Sequence, residues 1–372
     1  MGAFTHVWRD IEQVLFPNRD QHPIPAMDGA LTPNDLLDHC RVIGEPLPGA
    51  DAVARGPDGA FYVSAGPHVW RLSGEGFRER AVFATVEGAA GGLAFHPDGR
   101  LLVCVAGRGL AAIDGNSQSW LEQAGGRQLR CLTDVVAAPD GTIFLADASD
   151  TVTAEEWVRD LMAKGHSGRL IACGPALDGV TLLAEGLFYP HGLALTDGGK
   201  TLWFTESWNH RLGRAPAIGQ AIRKPDVVMG NVPGYPARLS PAAGGGFWLT
   251  LLAVRTHLTE FVLREDEYRR EMMRTIPPEL WIGPSLAATE NCLEPMQFGN
   301  IKALGIEKPW APPRSYGLVV RIDENGEPIR SLHSRRGGIH HGITAALETE
   351  QGLVVVSKGS GRLLLDIAEA RP

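Results

Sequence analysis

The side chains best suited to chemistry in this sequence recur at one position, shortly before a tight Asp-Gly turn. Four of them lie six or seven residues before the turn aspartate: Asp51, Thr133, Asp134 and His191. Two less regular copies of the same phrase place Arg238, His340 and His341 in the corresponding zone. Carboxylates and imidazoles that converge on one point suit a divalent metal or an acid–base pair. We therefore expect these residues to form one site.

A metal centre is the first chemistry that this set suggests. We expect Asp51, His191 and His341 to be the metal ligands. Oxygen ligands alone favour calcium, whereas two imidazoles shift the preference toward zinc, manganese or iron. The simpler alternative is that Asp51 caps backbone amides and that each histidine is a hydrogen-bonded packing residue. No organic cofactor is expected, because the sequence has no P-loop and no GxGxxG segment before a helix.

The remaining residues suggest acid–base and substrate-binding roles. Asp134, His340 and His341 are the candidate catalytic residues, each as a general base. Arg238 suits a substrate carboxylate or a developing oxyanion. The candidate substrate-binding residues are Thr133, Arg238, Tyr235 and Trp157.

The elements that must position these residues are predicted by a phrase of apolar residues, a Pro-Asp-Gly-like turn and a β-rich run. Clear copies occupy 53–59, 91–99, 133–141 and 191–199, and degenerate copies occupy 237–251 and 342–359. The first three turns are about 40 residues apart, which is the period of one four-stranded propeller blade. Asp-Gly supplies the positive-φ residue of a tight hairpin turn. Six copies therefore predict an all-β, six-bladed β-propeller with one central channel.

Two insertions interrupt this period. The segment 151–167 carries Trp157, Leu161 and Met162 at helical spacing, with Thr153 as an N-cap. The segment 254–313 begins with a helical pattern and continues with a stretch rich in Pro, Trp and Asn. We expect both to cap one mouth of the channel, either as a cover for apolar surface or as a lid over a substrate pocket. The predicted domains are an N-terminal extension, 1–35, and the propeller, 36–372.

Composition excludes several classes of function. The net charge is −8, and no basic stripe indicates nucleic-acid binding. The apolar runs are too short to span a bilayer, and the N-terminal residues carry charges where a secretion signal is apolar. Five cysteines without a CxxC pair are typical of reduced thiols. We expect a cytoplasmic protein that binds an apolar or aromatic small molecule. The sequence is compatible with a homo-oligomer.

Several stretches resemble the strictosidine-synthase-like branch of the gluconolactonase, or senescence-marker, superfamily of six-bladed propellers. They are LTDVVAAPDGTIFLADAS (132–149), LLAEGLFYPHGLALTDGGKTLWFTESWNHRLGR (182–214), NVPGYPARLSPAAGGGFWLTL (231–251) and RSYGLVVRIDENGEPIRSLH (314–333). The resemblance extends from about residue 36 to the end of the chain. It implies the propeller fold and a site in the central channel.

The site residues depart from the family pattern. The resemblance implies a divalent cation, often calcium, bound by a Glu in blade one, by Asn in later blades and by an Asp. Here blade one has Asp51, and Thr133, His191 and Arg238 stand where the family has Asn. Only a carboxylate in blade one and Asp134 keep the family's chemistry. Either the metal accepts histidine, or the chemistry is metal-free with histidine as base.

The last blade departs from strictosidine synthases as well. Those enzymes use a Glu near the start of that blade as acid or base, and here Thr344 or Ala345 stands at this position. Pictet–Spengler condensation of an amine with an aldehyde is therefore not expected.

Three classes of function remain. The first is a lactonase or esterase in which a metal polarises the carbonyl and activates water. The second is a metal-free lyase, isomerase or C–C bond-forming enzyme of secondary metabolism or aromatic catabolism that uses the channel histidines. The third is a propeller that binds a ligand without catalysis.

Overall fold

The computed structural model describes residues 24–217, 220–222, 225–287, 302–303, 306–307 and 314–367. Within these residues, six four-stranded antiparallel sheets follow one another along the chain, and a two-stranded hairpin precedes the third sheet. The first strand of each sheet packs against the first strand of the next, and the sixth returns to the first. The predicted six-bladed β-propeller is confirmed.

The strands divide among the blades in chain order, except that β1 belongs to the last blade. Blade one comprises β2 (Ala50–Arg55), β3 (Phe61–Ala65), β4 (His68–Ser73) and β5 (Glu79–Thr85). Blade two comprises β6 (Ala90–Phe95), β7 (Leu101–Val105), β8 (Gly109–Asp114) and β9 (Ser117–Leu121). Blade three comprises β12 (Leu132–Ala137), β13 (Ile143–Asp147), β14 (Gly168–Cys173) and β15 (Thr181–Leu187). A hairpin of β10 (Gln123–Ala124) and β11 (Arg127–Gln128) precedes blade three.

Blade four comprises β16 (Pro190–Thr196), β17 (Thr201–Glu206), β18 (Arg211–Pro216) and β19 (Asp226–Met229). Blade five comprises β20 (Gly234–Pro241), β21 (Phe247–Val254), β24 (Gly317–Ile322) and β25 (Pro328–Ser334). Blade six comprises β26 (Ile343–Thr349), β27 (Gly352–Ser357), β28 (Arg362–Asp366) and β1 (Arg41–Ile43). The short strands β22 (Lys302–Ala303) and β23 (Ile306–Glu307) pair with each other inside the second insertion. That insertion therefore lies between the second and third strands of blade five, and it does not replace a blade.

The ring is closed by the two ends of the propeller. Strand β1 pairs antiparallel with β28, so the outermost strand of blade six comes from the start of the chain. Ile43 is buried in a cluster that joins blades one and six, whereas Val42 on the other face is exposed. Just before β1, helix α1 (Leu36–His39) packs on β25 through the buried Leu37. Residues 1–23 of the predicted extension lie outside the described residues.

A β-bulge near the start of every innermost strand is the feature that positions the site. The pairing register shifts in β2, β6, β12, β16, β20 and β26. The residues at these shifts include Asp51, Gly91, Thr133, His191, Arg238 and Thr344. Bulges redirect side chains and are common beside active sites. In blades one, four and five, a buried hydroxyl of the second strand accepts a hydrogen bond from a backbone amide of the bulge. The pairs are Ser64 with Ala52, Thr205 with Gly192 and Thr250 with Arg238.

The two insertions form one cap with a shared core. Helix α2 (Trp157–Ala163) follows a capping box in which Thr153 and Glu156 satisfy each other's backbone amides. Helices α3 (His257–Arg264) and α4 (Asp266–Thr275) supply Val262 and Met272 to the same cluster. Among the described helices, none is long and apolar enough to cross a membrane.

The cap is seated closely on the propeller. Leu286, in the second insertion, lies against the backbone of blade six. A Cβ atom on Gly342 or Gly359 would clash with the Leu286 backbone, so both positions require glycine. The predicted placement of both insertions over one channel mouth is confirmed.

Candidate functional site

A cavity lies between the cap and the bulges of the innermost strands. Its wall is mostly apolar and comes from both parts, with Trp157 and Leu286 from the cap and Tyr189 and Leu252 from the propeller. Its polar lining residues are Asp51, Thr133, Glu155, His191, Arg238, Thr344 and Lys358. A concave apolar cavity with a few converging polar groups is the usual form of a small-molecule site.

Arg238 joins three other blades at the floor of this cavity. Its Nη2 donates to Asp51 Oδ2 at 2.7 Å and to the Thr133 carbonyl at 2.6 Å. Its Nη1 donates to the Asp51 carbonyl at 3.1 Å and to the Thr344 carbonyl at 3.2 Å. Its Nε donates to Asp134 Oδ1 at 3.3 Å. Every acceptor of this guanidinium is therefore an oxygen atom from blade one, three or six.

Lys358 supplies a second cation. Its Nζ lies 2.7 Å from Asp51 Oδ1, so each carboxylate oxygen of Asp51 contacts a different cation. Burial raises the pKa of Asp51, but Arg238 and Lys358 outweigh burial and hold the pKa well below its ordinary value. Asp51 is therefore ionised throughout the physiological pH range. Lys358 is 29% exposed, and it keeps N–H groups free for the cavity.

Asp134 lies beneath Arg238. One of its oxygens accepts from Arg238, and the other accepts from the Leu193 backbone amide at 2.9 Å. Burial raises the pKa of Asp134 to about 6, although Arg238 acts in the opposite direction. Asp134 does not line the cavity. Its position suits the orientation of Arg238 better than contact with a substrate.

Within the part of the chain that the structure describes, two buried polar atoms on the cavity wall have no hydrogen-bond partner. They are His191 Nδ1 and Thr344 Oγ1, whose residues are 7% and 1% exposed. The imidazole packs against Tyr189, with ring centroids 6.0 Å apart. Burial, assisted by Arg238, lowers the pKa of His191 to about 3, so the ring is neutral at physiological pH. Unpartnered buried polar groups are uncommon, and a bound molecule is one way to satisfy them.

Comparisons of sequence agree with this architecture. The family model described as "Strictosidine synthase" matches residues 133–219. The adipocyte plasma membrane-associated protein of Salmo salar is 22% identical over 352 residues, covering 88% of this chain and 76% of that protein. STRICTOSIDINE SYNTHASE-LIKE 13 of Arabidopsis thaliana is 26% identical over 252 residues, covering 67% and 56%. The resemblance to strictosidine-synthase-like propellers is confirmed.

Solved structures share the fold at low sequence identity. A gluconolactonase from Xanthomonas campestris superposes with a TM-score of 0.56 at 14% identity, covering 89% of each chain. A calcium-binding regucalcin from Agrobacterium tumefaciens gives 0.56 at 15% identity, covering 89% of this chain and 95% of that one. These likenesses establish the fold, and the chemistry must be argued from the residues of the site itself.

The structure brings together five of the predicted site residues. The cavity is lined by Asp51, Thr133, His191, Arg238 and Trp157. Thr133 Oγ1 donates to the Pro190 carbonyl at 2.9 Å and also contacts the Ala146 carbonyl, so this hydroxyl is already engaged. The catalytic and binding roles assigned to these residues from the sequence stay predictions.

Three predicted residues lie elsewhere. Tyr235, His340 and His341 do not line the cavity. The ring nitrogens of His341 lie 2.8 Å from Ser315 Oγ and 3.1 Å from the Arg335 carbonyl. Because β26 begins at Ile343, both histidines precede the bulge, and Thr344 is the residue of blade six that matches His191. The prediction that His341 occupies the position in blade six that corresponds to His191 is therefore wrong.

The predicted metal ligands do not form a metal site. Both carboxylate oxygens of Asp51 are bound to cations, and His341 is engaged away from the cavity. Within the described part of the chain, no three His, Cys, Asp or Glu side chains are grouped closely enough to hold an ion. Neither calcium nor a histidine-preferring metal fits this donor set.

Lys358 is the functional candidate that the sequence patterns did not single out. It directly follows the second strand of blade six, whereas the spacing before the turns marks only the first strands. The signal in the sequence that could have identified Lys358 is a basic residue directly after the second strand of a blade. Thr344 was identified only as the residue at the glutamate position of strictosidine synthases.

Proposed function

We propose that this protein is a hydrolase that cleaves the ester or lactone bond of an apolar or aromatic small molecule with its own side chains. The observation that carries the proposal is the pair of unpartnered buried atoms, His191 Nδ1 and Thr344 Oγ1, on an apolar wall shared with Lys358. The fold shared with a gluconolactonase supports hydrolysis as the reaction class. Trp157, Tyr189 and Leu252 favour an apolar or aromatic substrate.

These groups suit the two requirements of ester hydrolysis. The Lys358 ammonium and the Thr344 hydroxyl donate to the carbonyl oxygen and stabilise the negative charge that develops there. The neutral His191 accepts a proton from water as the water oxygen attacks the carbonyl carbon, and then returns it to the leaving oxygen. Burial and Arg238 lower the pKa of His191, and the negative charge of Asp51 acts in the opposite direction and so favours the imidazolium that forms during this step. The products are a carboxylate and an alcohol, which form one hydroxy acid when a lactone opens.

Hydrolysis of dihydrocoumarin and phenyl acetate, followed by acid release, tests this assignment. We expect His191→Ala to lower kcat/KM by about 10²–10⁴-fold, the usual contribution of a general base. Lys358→Met is expected to lower it by about 10²–10³-fold, since it removes one donor to the oxyanion. Thr344→Val is expected to act in the same direction as Lys358→Met.

His333→Gln is the matched control. His333 is also a buried histidine, but its ring is bonded to Tyr316 and Ser331 and does not line the cavity. This variant should keep the wild-type kcat/KM. The proposal is wrong if the wild type hydrolyses neither compound, or if His191→Ala and Lys358→Met retain full activity. Tight binding without hydrolysis would favour the ligand-binding propeller instead.

A further inference from the structure

The acceptors around Arg238 form an unusual set. Two are carboxylate oxygens, of Asp51 and Asp134, and three are main-chain carbonyls, of Asp51, Thr133 and Thr344. All five are hard oxygen donors, and together they converge on one buried cation. Carboxylates and carbonyls in this number are the ligands that Ca²⁺ prefers in proteins.

We propose that the Arg238 guanidinium is a built-in substitute for a calcium ion on the propeller axis. Together with Lys358 it balances the charge of the two buried carboxylates. It also ties blade five to blades one, three and six through the oxygens that an ion would otherwise bind. Arg238 is 7% exposed, and burial opposes its charge while Asp51 and Asp134 favour it, so that the net effect raises the pKa of the guanidinium. The group is permanently charged, and no exchange with solvent ions is needed to keep the centre neutral.

Removal of the guanidinium is therefore expected to create a calcium site. Arg238→Ala leaves the five oxygens in place around a space that the guanidinium no longer fills. Lys358 remains beside Asp51 and opposes a second cation. The double variant Arg238→Ala/Lys358→Met removes that opposition, and we expect it to bind Ca²⁺ more tightly than the single variant.

The experiment is a thermal-unfolding series with and without CaCl₂, together with calorimetric titration of Ca²⁺. The wild type should bind no Ca²⁺, and its Tm should be unchanged by CaCl₂ or EDTA. In Arg238→Ala, Tm should fall without calcium and recover by about 3–4 °C at a concentration about 100-fold above Kd. Arg238→Lys, which keeps a cation, should show no calcium response.

Arg169→Ala is the matched control. Arg169 is fully buried, and it pairs with Asp147 and donates to the carbonyls of Ala124 and Gln128. Its removal also takes away a buried guanidinium, but it leaves a single carboxylate, so its Tm should fall without a calcium response.

Either of two results overturns the proposal. One is stoichiometric, stabilising Ca²⁺ binding by the wild type. The other is the absence of any calcium response in Arg238→Ala and in the double variant, whether each is folded or is refolded from urea with CaCl₂ present. Hydrolytic activity does not enter this measurement, so the inference and the proposed function fail independently.

Discussion

His191 combines burial, neutrality and an unpartnered nitrogen. Its pKa is lowered to about 3 by burial, with Arg238 adding to the effect, whereas the ordinary value is 6.5. A histidine with these properties accepts a hydrogen bond from water or a substrate without carrying a charge of its own. Its role as a metal ligand, expected from the sequence, would require a second free donor group beside it. Arg238 and Lys358 occupy the carboxylate that was expected to be this donor.

The lowered pKa of His191 predicts a loss of stability in acid. Above pH 6.5 the imidazole is neutral in both the folded and unfolded states and has no effect. Between pH 6.5 and about 3 the unfolded state binds a proton that the folded state does not, so the free energy of unfolding falls. The loss is about 1.4 kcal/mol per pH unit. Urea denaturation of the wild type and His191→Gln across this range should show a shallower decline in the variant.

His257→Gln is the control for this series. His257 is exposed at the start of α3, so its replacement should leave the pH profile unchanged. If His191→Gln and the wild type decline in parallel from pH 6.5 to 4, the neutrality assigned to His191 is incorrect.

The β-bulges explain how much of the site the sequence could predict. Turn phrases marked the starts of the innermost strands, and the residues before them, such as Asp51 and His191, lie at the bulges. In blade six, Thr344 lies six residues before Glu350 of the turn Glu350-Gln351-Gly352, which is the expected spacing. His341 was predicted instead because it is followed by glycine, as His191 is. The central position of Arg238 depends on side-chain packing across several blades. A count along one chain segment does not contain that information.

The cap is held by a tryptophan that the sequence only placed in a lid. Trp281 is fully buried, and its Nε1 donates to the Ile276 carbonyl at 2.8 Å. Trp281→Ala should cost about 3–5 kcal/mol through the cavity that it leaves. The space left by Trp281 lies in the core of the cap. Amide hydrogen exchange should therefore become faster in α3 and α4 and remain slow in the central strands.

Phe261→Ala is the control within the same cap. Phe261 lies on α3 but is 53% exposed, so its removal should change neither stability nor exchange appreciably. Equal protection of α3 and α4 in Trp281→Ala and the wild type would show that the cap core does not depend on Trp281.

At the scale of the whole molecule, one short strand joins the two ends of the ring. Ile43→Ala removes a buried side chain from the cluster shared by blades one and six, and it should lower the free energy of unfolding by about 2–5 kcal/mol. Because every blade depends on closure, unfolding should remain a single transition at a lower Tm. Differential scanning calorimetry measures both quantities.

The neighbouring residue provides the comparison. Val42 belongs to the same strand but is 43% exposed, so Val42→Ala should have a much smaller effect. A separate early transition in Ile43→Ala would mean that blade six unfolds independently and that the ring is not one cooperative unit.

The fold followed from the repeated turns because their period and strand pattern are local properties of the sequence. The reaction did not follow, because likeness in fold at low sequence identity does not specify the residues of the site. The likeness to a gluconolactonase rests on 14% identity, and the bulge positions of this chain hold threonine, histidine and arginine. Family resemblance therefore predicts where the site lies, and the contacts of Arg238, Lys358 and His191 determine what it can do.

Closure by β1 also orders events during translation. This strand is synthesised before all the other described strands of the propeller, yet its partner β28 is synthesised after them. Until then the nascent chain is an open arc with an unpaired edge at each end. Arg238 lacks the Thr344 carbonyl throughout that interval, and Asp51 lacks Lys358. The polar centre of the cavity is therefore completed only after synthesis of blade six, when the propeller closes into a ring.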